Sequence, residues 1–256
     1  MSLDLALGLA GVAAETLLIA ILALKRTYRT LPVFSFYVVW MVVSDVAMMW
    51  VIRRSPAHYL RAFLIEMPLD SFFQFCVLSE LAWSVFRPIR ASLPRWSVLV
   101  LPALILLTGV IVWPIAGKLA LPGYSSQWHL MFQLQQTVSI LRILVFFVLM
   151  ALSQILAIGW RDRELQIATG LGFYSLMSLG AAIVHSRPAS PAFYHSIDQI
   201  VIASYLLSLL YWTVSFLQKE APRQEFSPKM QSILLSVAGN ARASRAALEE
   251  MGKSKR

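Results

Sequence analysis

The sequence predicts an all-α protein, a seven-helix transmembrane bundle followed by a short amphipathic C-terminal helix. Composition is the first observation, because 58% of the 256 residues are hydrophobic and the mean hydropathy is +0.68, whereas a soluble domain has about 45 to 50% apolar residues. The second is seven apolar stretches, each near the ~20 residues that a helix needs to cross ~30 Å of hydrocarbon. The third is a change to polar, basic composition after residue 217. We therefore expect a transmembrane domain over residues 1–217 and a cytoplasmic basic tail over residues 218–256.

The seven predicted spans follow one another with short links. They cover residues 5–24, 33–52, 62–86, 96–115, 134–158, 165–185 and 197–217. The first span has no basic residue before it and continues to Lys25, so we expect a retained helix rather than a signal peptide. The single cysteine, Cys76, lies in the third span, which excludes an intramolecular disulfide.

Basic residues indicate the orientation of the bundle. One side of the predicted membrane carries sixteen of the 22 Lys and Arg residues, eight of them in the tail and eight in the links: Lys25, Arg26, Arg29, Arg87, Arg90, Arg95, Arg161 and Arg163. The opposite side carries five: Arg53, Arg54, Arg61, Lys118 and Arg187. Because Lys and Arg accumulate in cytoplasmic loops, we expect the N-terminus outside and the C-terminus inside. This explains the net charge of +9 without a nucleic-acid partner.

The tail is predicted to contain one amphipathic helix. Ser227 is suited to the N-cap and Pro228 to the first helical position. Apolar residues then recur at helical spacing: Met230, Ile233, Leu234, Val237, Ala241 and Leu248. We expect this helix to lie on the lipid bilayer against anionic lipid. The alternative is a docking helix for a cytoplasmic protein partner.

Six ionisable side chains fall inside the predicted spans and form a candidate buried polar cluster. They are Glu15, Asp45, Glu66, Asp70, Glu80 and Arg142. Each costs ~2.5 to 3.5 kcal/mol at mid-bilayer unless it is sheltered. On the third helix the polar residues Glu66, Asp70, Gln74, Glu80 and Ser84 fall within about 120° of one another, so that face should turn inward.

Arg142 is predicted to pair with one of these acids. From the helical rise, Asp70 and Arg142 both lie about 24 Å from the inner ends of their helices, and Asp45 about 18 Å. We therefore predict an Arg142–Asp70 pair, with Asp45 as the alternative or third member. With Asp45 included, this pairing would hold the second, third and fifth helices together. Alternatively, because one arginine cannot neutralise several acids, some carboxyl groups are protonated or neutralised by a cation, as in a proton relay or ligand site.

The histidines suggest a second, speculative site at the outer face. His185, His195 and Asp198 have the residue types of a metal site. Their spacing is not diagnostic, and histidines solvated or placed among lipid headgroups are the more ordinary interpretation.

Motif searches exclude several enzyme classes. The chain lacks GxxxxGK[ST], full GxGxxG, HExxH and GxSxG motifs. Residues 197–217 contain no lysine, whereas microbial rhodopsins need one there for the retinal Schiff base, so we predict no retinal and no other cofactor. The seven-helix topology also resembles the alkaline ceramidases, whose metal site combines histidines with a serine and an aspartate. Ser44, Asp45, His185, His195 and Asp198 supply these residue types, but the HxxxH pair of that family is missing.

Two short stretches carry a further resemblance. The run from Glu80 to Pro88, ELAWSVFRP, and the basic segment from Arg242 to Leu248 resemble those of uncharacterised bacterial seven-helix membrane proteins. The resemblance implies a multi-pass protein of the bacterial inner membrane, which is the plasma membrane. It implies no activity.

Function is predicted at the level of class. A receptor-like sensory module with a polar site in the outer half of the bundle is favoured by the acid and arginine cluster together with the cytoplasmic tail. A structural subunit or scaffold of a membrane complex is the alternative, since Gly170, Gly172, Gly180 and Ala181 offer close-approach surface to a membrane-protein partner. A small transporter or a metal-dependent membrane lipid hydrolase is less favoured, and we do not expect an enzyme.

Overall fold

The chain folds into long helices that fit the predicted bundle. The computed structural model describes residues 3–85, 97–119, 126–155, 162–185 and 190–218. Within these ranges there are seven long helices and no strand: α1 Leu3–Leu24, α2 Pro32–Arg54, α3 Tyr59–Val85, α4 Ser97–Leu119, α5 Ser126–Ile155, α6 Arg163–His185 and α7 Pro191–Leu217. All seven are long and apolar enough to cross a membrane. The predicted all-α seven-helix architecture is confirmed.

Two helices begin well before their predicted spans. α5 starts at Ser126 rather than near residue 134, and α7 starts at Pro191 rather than near residue 197. Hydropathy detects only the part of a helix that lies in hydrocarbon, while polar residues extend it beyond that layer. At α7 the Ser190 hydroxyl accepts a hydrogen bond from the Phe193 N–H at 3.4 Å, and Pro191 occupies the first turn. The predicted tail helix lies outside the described residues.

Successive helices alternate in direction, so the bundle has an N-terminal end, where α1 begins, and a C-terminal end, where α7 ends. At the C-terminal end Lys25 Nζ donates to the Leu217 carbonyl at 3.4 Å, and Arg163 Nη1 donates to Thr27 Oγ1 at 3.0 Å. At the N-terminal end His185 Nε2 lies 3.3 Å from Asp198 Oδ1. Helices α1, α2, α3, α5, α6 and α7 contact one another in sequence around the bundle, while α4 packs mainly against α5.

The C-terminal half of the bundle holds a dense apolar core. Its members come from six helices and include Leu18, Leu22, Phe34, Val38, Val77, Leu81, Leu149, Ile167, Leu171, Leu209, Trp212 and Phe216. The Phe34 ring meets the Trp212 ring edge-on at 5.4 Å and stacks on Phe216 at 5.9 Å. This half of the molecule is therefore filled by side chains and has the close packing of a protein interior.

Two of the small residues predicted to allow close approach are used within the chain. A Cβ at Gly170 would lie 2.2 Å from Trp212 Nε1, and one at Gly172 would lie 2.8 Å from the Phe146 ring. At Gly180 no atom of the described residues lies within 4 Å of a Cβ. Helix α6 therefore uses its first two glycines to pack against α7 and α5.

Candidate functional site

The N-terminal half of the bundle contains a polar cavity of about 360 Å³. It lies between α1, α2, α3, α6 and α7. Its polar lining consists of Tyr37, Ser44, Asp45, Glu66, Asp70, Gln74, Tyr174 and Tyr205. Its apolar lining includes Leu7, Met41, Val201, Ile202 and Leu206. Three of the six predicted cluster members therefore line the same cavity: Asp45, Glu66 and Asp70. Because the Asp45 side chain is exposed, the cavity is open rather than sealed.

The α2 side of the cavity arises from helical spacing. Tyr37, Met41, Ser44 and Asp45 recur at intervals of four, three and one residue, which places them on one face of α2. That face turns toward α3 and α1, and all four residues line the cavity. The opposite face of α2 is apolar and exposed, with Val43, Val46 and Trp50 outward, as expected for a surface in contact with lipid.

A short hydrogen-bonded chain organises the deep wall of the cavity. Gln74 Nε2 donates to Asp70 Oδ2 at 2.5 Å and also lies 3.2 Å from the Tyr37 hydroxyl. Gln74 and Tyr37 are buried. Because the residues at positions i and i+4 of a helix face the same side, Asp70 obtains its partner from its own helix. The carboxyl group of Asp70 is therefore held in a fixed place at the cavity wall.

Glu15 stands in the wall next to Asp45. Its side chain is completely buried, and its Oε1 accepts a hydrogen bond from the Tyr205 hydroxyl. The second oxygen, Oε2, has no hydrogen-bond partner among the residues that the structure describes. The Asp45 carboxyl group is the acidic neighbour of the Glu15 carboxyl group. Since Asp45 and Tyr205 both line the cavity, Glu15 extends the acidic cluster behind its wall.

Arg142 does not form the predicted ion pair with Asp70. Its Nη2 donates to Ser139 Oγ at 3.0 Å, and its guanidinium carbon lies 5.2 Å from the centre of the Tyr174 ring. Within the described ranges, Nε and Nη1 have no hydrogen-bond partner. The predicted pairing is wrong because Asp70 is satisfied locally by Gln74, while Arg142 emerges from α5, which does not line the cavity. Its charge still acts on Asp70 through space.

Glu80 is separate from the cavity, although it was predicted to belong to the cluster. Its two carboxylate oxygens accept the backbone N–H groups of Val33 at 2.9 Å and Phe34 at 2.8 Å. These are early N–H groups of α2, which begins at Pro32 without a side-chain cap of its own. Glu80 is therefore a capping residue supplied by a neighbouring helix, placed where a helix N-terminus favours negative charge.

Two buried acids and three tyrosines were missed by sequence reasoning. Asp162 and Glu164 are buried at the start of α6, where Ser84 Oγ donates to Glu164 Oε1 at 2.5 Å. They were overlooked because they lie beside basic link residues, although acids in the first turn of a helix are a usable signal. Tyr37, Tyr174 and Tyr205 lie within the predicted spans, and the candidate cluster, which was restricted to ionisable acids and Arg142, did not include them. Their hydroxyl groups, which need partners when buried, were the signal.

The histidines lie at the N-terminal end, away from the cavity lining. His185 meets Asp198 at 3.3 Å and stacks on Tyr194 with ring centres 4.9 Å apart. His195 instead lies beside Gln199, with Nε2 atoms 3.0 Å apart. The structure thus brings together two members of the predicted set. Across the described ranges, no three His, Cys, Asp or Glu side chains are close enough to hold a metal ion.

Comparisons with known proteins assign no family to this chain. No family model matches it, and neither the curated proteins nor the solved structures include a match. Its function is therefore inferred from the cavity itself.

Proposed function

We propose that this protein is a receptor-like sensory module of the bacterial inner membrane, with its N-terminus outside, its C-terminus in the cytoplasm, and a ligand site in the polar cavity. The observation that carries the proposal is the unequal filling of the bundle: a cavity of about 360 Å³ lies above a dense apolar core. Ionisable carboxyl groups inside membrane-spanning helices are costly unless they are sheltered, and three of them line this cavity. Their retention around an open space supports a binding role.

The closed C-terminal half is the arrangement that a sensor needs, and it equally fits one state of a transporter. A transporter exposes its site alternately to the two sides of the membrane. Here the core that includes Phe34, Trp212 and Phe216 fills the bundle between the cavity and the C-terminal end. A ligand that enters the cavity from outside therefore meets packed side chains rather than a path across the membrane.

Helix α3 offers a physical route from the cavity to the cytoplasmic end. Glu66 and Asp70 face the cavity, and Glu80, about 15 Å further along the same helix, holds the first N–H groups of α2. A shift of α3 on ligand binding would move the Glu80 carboxylate against the α2 N-terminus. The link over residues 25–31 and the tail would then respond.

A second candidate, a structural subunit of a membrane complex, is favoured by one surface of α6. Phe173, Leu176 and Ile183 are exposed, and a Cβ at Gly180 between them would have no neighbour within 4 Å in the part of the chain that the structure describes. Small residues on an exposed helix face allow close helix approach in membranes. This role is compatible with sensing, because a sensor also needs a partner.

The sensory proposal is tested by filling the cavity covalently and observing the other end of the bundle. In a Cys76→Ala background, the Ser44→Cys variant is treated with a membrane-impermeant methanethiosulfonate that carries a trimethylammonium group. Hydrogen exchange of amides 25–34 is then measured by mass spectrometry in nanodiscs. Ser196→Cys is the matched control, because Ser196 is exposed on α7 and does not line the cavity.

We expect exchange over residues 25–34 to change severalfold when the reagent occupies the cavity, and to stay unchanged when it is attached at the control position. Labelling must also occur from outside intact cells. Equal exchange in the two labelled variants would refute the sensory coupling.

A further inference from the structure

The chemical class of the ligand can be inferred from the walls of the cavity. We propose that the cavity binds a small organic cation, whose ammonium group is held by the carboxylates of Asp45, Glu66 and Asp70. This inference rests on the proposed function, since it names the ligand of the same site.

Charge is the first argument. Three carboxyl groups line the cavity, and no lysine, arginine or histidine is among the described residues that line it. The completely buried Glu15 adds a fourth acid, with an oxygen that has no hydrogen-bond partner in the described part of the chain. Arg142 supplies one positive charge from behind Tyr174. The site therefore has four acidic side chains and one basic side chain, and a bound cation would balance those carboxyl groups that are ionised.

The shape of the site favours a polyatomic cation over a bare metal ion. A metal ion needs several ligand atoms converging within about 2.6 Å, and no three acidic, histidine or cysteine side chains among the described residues converge in this way. The carboxyl groups are instead spread over α2 and α3 around about 360 Å³. At about 30 Å³ per water-sized group, that space holds on the order of twelve non-hydrogen atoms.

The aromatic lining gives an independent argument for an ammonium group. Tyr37, Tyr174 and Tyr205 line the cavity, and the negative face of an aromatic ring attracts organic cations. The Arg142 guanidinium carbon already lies over the Tyr174 ring, 5.2 Å from the ring centre. Apolar residues such as Met41 and Leu206 complete the lining and suit the hydrocarbon part of an amine.

The test compares three probes of similar size and different charge. The full-length protein in phosphatidylglycerol nanodiscs is titrated with n-butylammonium, 1-pentanol and pentanoate, and the midpoint of thermal unfolding is followed by tryptophan fluorescence. Sodium and calcium chloride at equal ionic strength form a fourth arm. We expect n-butylammonium alone to raise the midpoint. A rise of equal size with pentanol or with inorganic cations would overturn the proposal.

Isosteric variants test the site itself. Asp70→Asn and Glu66→Gln preserve side-chain size and remove one negative charge each, so apparent affinity for n-butylammonium should fall about tenfold or more. The matched control is Asp198→Asn, an exposed acid outside the cavity, which should bind like the parent protein. Equal affinity in all variants would overturn the assignment. Unfolding midpoints without probe show whether each variant is folded.

Nanodiscs that contain phosphatidylethanolamine identify the source of the ammonium group. If this lipid raises the midpoint and abolishes the effect of free n-butylammonium, the lipid headgroup is the ligand, and the ammonium assignment holds. If the effect of free amine persists, the ligand is a soluble amine. Failure of every ammonium arm, together with altered exchange in the labelled Ser44→Cys variant, would reject the ligand class while leaving the sensory proposal in place.

Discussion

Gly170 on α6 is the position where an added methyl group should cost the most packing energy. Its Cβ would lie 2.2 Å from Trp212 Nε1 and 2.6 Å from Cε2. The indole cannot move away easily, because it is buried, donates to the Gln166 carbonyl at 3.3 Å and packs edge-on against Phe34. Ser208 Oγ also donates to the Gly170 carbonyl at 3.0 Å.

The size of the effect follows from three contributions. Overpacking a filled core costs about 1 to 3 kcal/mol, and a weakened Trp212 hydrogen bond adds about 0.5 to 1.5 kcal/mol. Replacing glycine by alanine within a helix returns about 0.5 to 1 kcal/mol. Gly170→Ala should therefore be destabilised by about 0.5 to 4 kcal/mol. Gly180→Ala should be neutral or slightly stabilised, because none of the described residues has an atom within 4 Å of its Cβ.

The assay is equilibrium unfolding in mixed detergent micelles, followed by circular dichroism, with both variants compared with the parent protein. The two positions lie on the same helix and receive the same substitution, so the difference between them reports the packing and hydrogen bonding of Trp212 against Gly170. If Gly170→Ala is as stable as Gly180→Ala, the close packing of α6 on α7 is wrong.

Three further predictions concern charged and polar groups. Glu80→Gln should lower the free energy of unfolding by about 1 kcal/mol in the same assay, because it weakens the cap on α2. The control Glu66→Gln should not lower it. Equal losses of stability in the two variants would contradict the capping role. Tyr205→Phe should lower the free energy of unfolding by about 1 to 3 kcal/mol, because it removes the hydroxyl group that donates to the buried Glu15. A variant as stable as the parent protein would show that this hydrogen bond is unimportant. Arg142→Met should tighten n-butylammonium binding severalfold in the thermal titration, because it removes a positive charge that acts on Asp70. Weaker binding in a folded variant would refute this electrostatic role.

The sequence could predict the helices and the inward face of α3, because both follow from hydropathy and helical periodicity. Asp45, Glu66 and Asp70 were predicted to belong to one polar cluster, and all three line the cavity. The partners were harder to predict. The rise along a helix gives the height of a side chain, but not the neighbouring helix toward which it turns, so the Arg142–Asp70 pair was wrong.

Glu80 and Gly170 illustrate a second limit of the sequence. The partners of Glu80 are backbone N–H groups of another helix, and backbone groups carry no sequence signal. In the sequence, Gly170 looks like any other small residue of a helix. Its role depends on the position of Trp212 on α7. Such details depend on the mutual rotation of helices, which periodicity alone does not determine.

The central claim is that the cavity is an acidic site reached by water from outside, and charge-selective labelling tests it most directly. Modification rates of Ser44→Cys, in the Cys76→Ala background, are measured with the trimethylammonium reagent and with its sulfonate counterpart added outside intact cells. Each rate is divided by the rate at Ser196→Cys. Because a cleft lined by carboxylates concentrates cations, the cationic reagent should be favoured by about tenfold or more, and Asp70→Asn should reduce that preference. Equal rates for the two reagents, or no labelling from outside, would contradict the account.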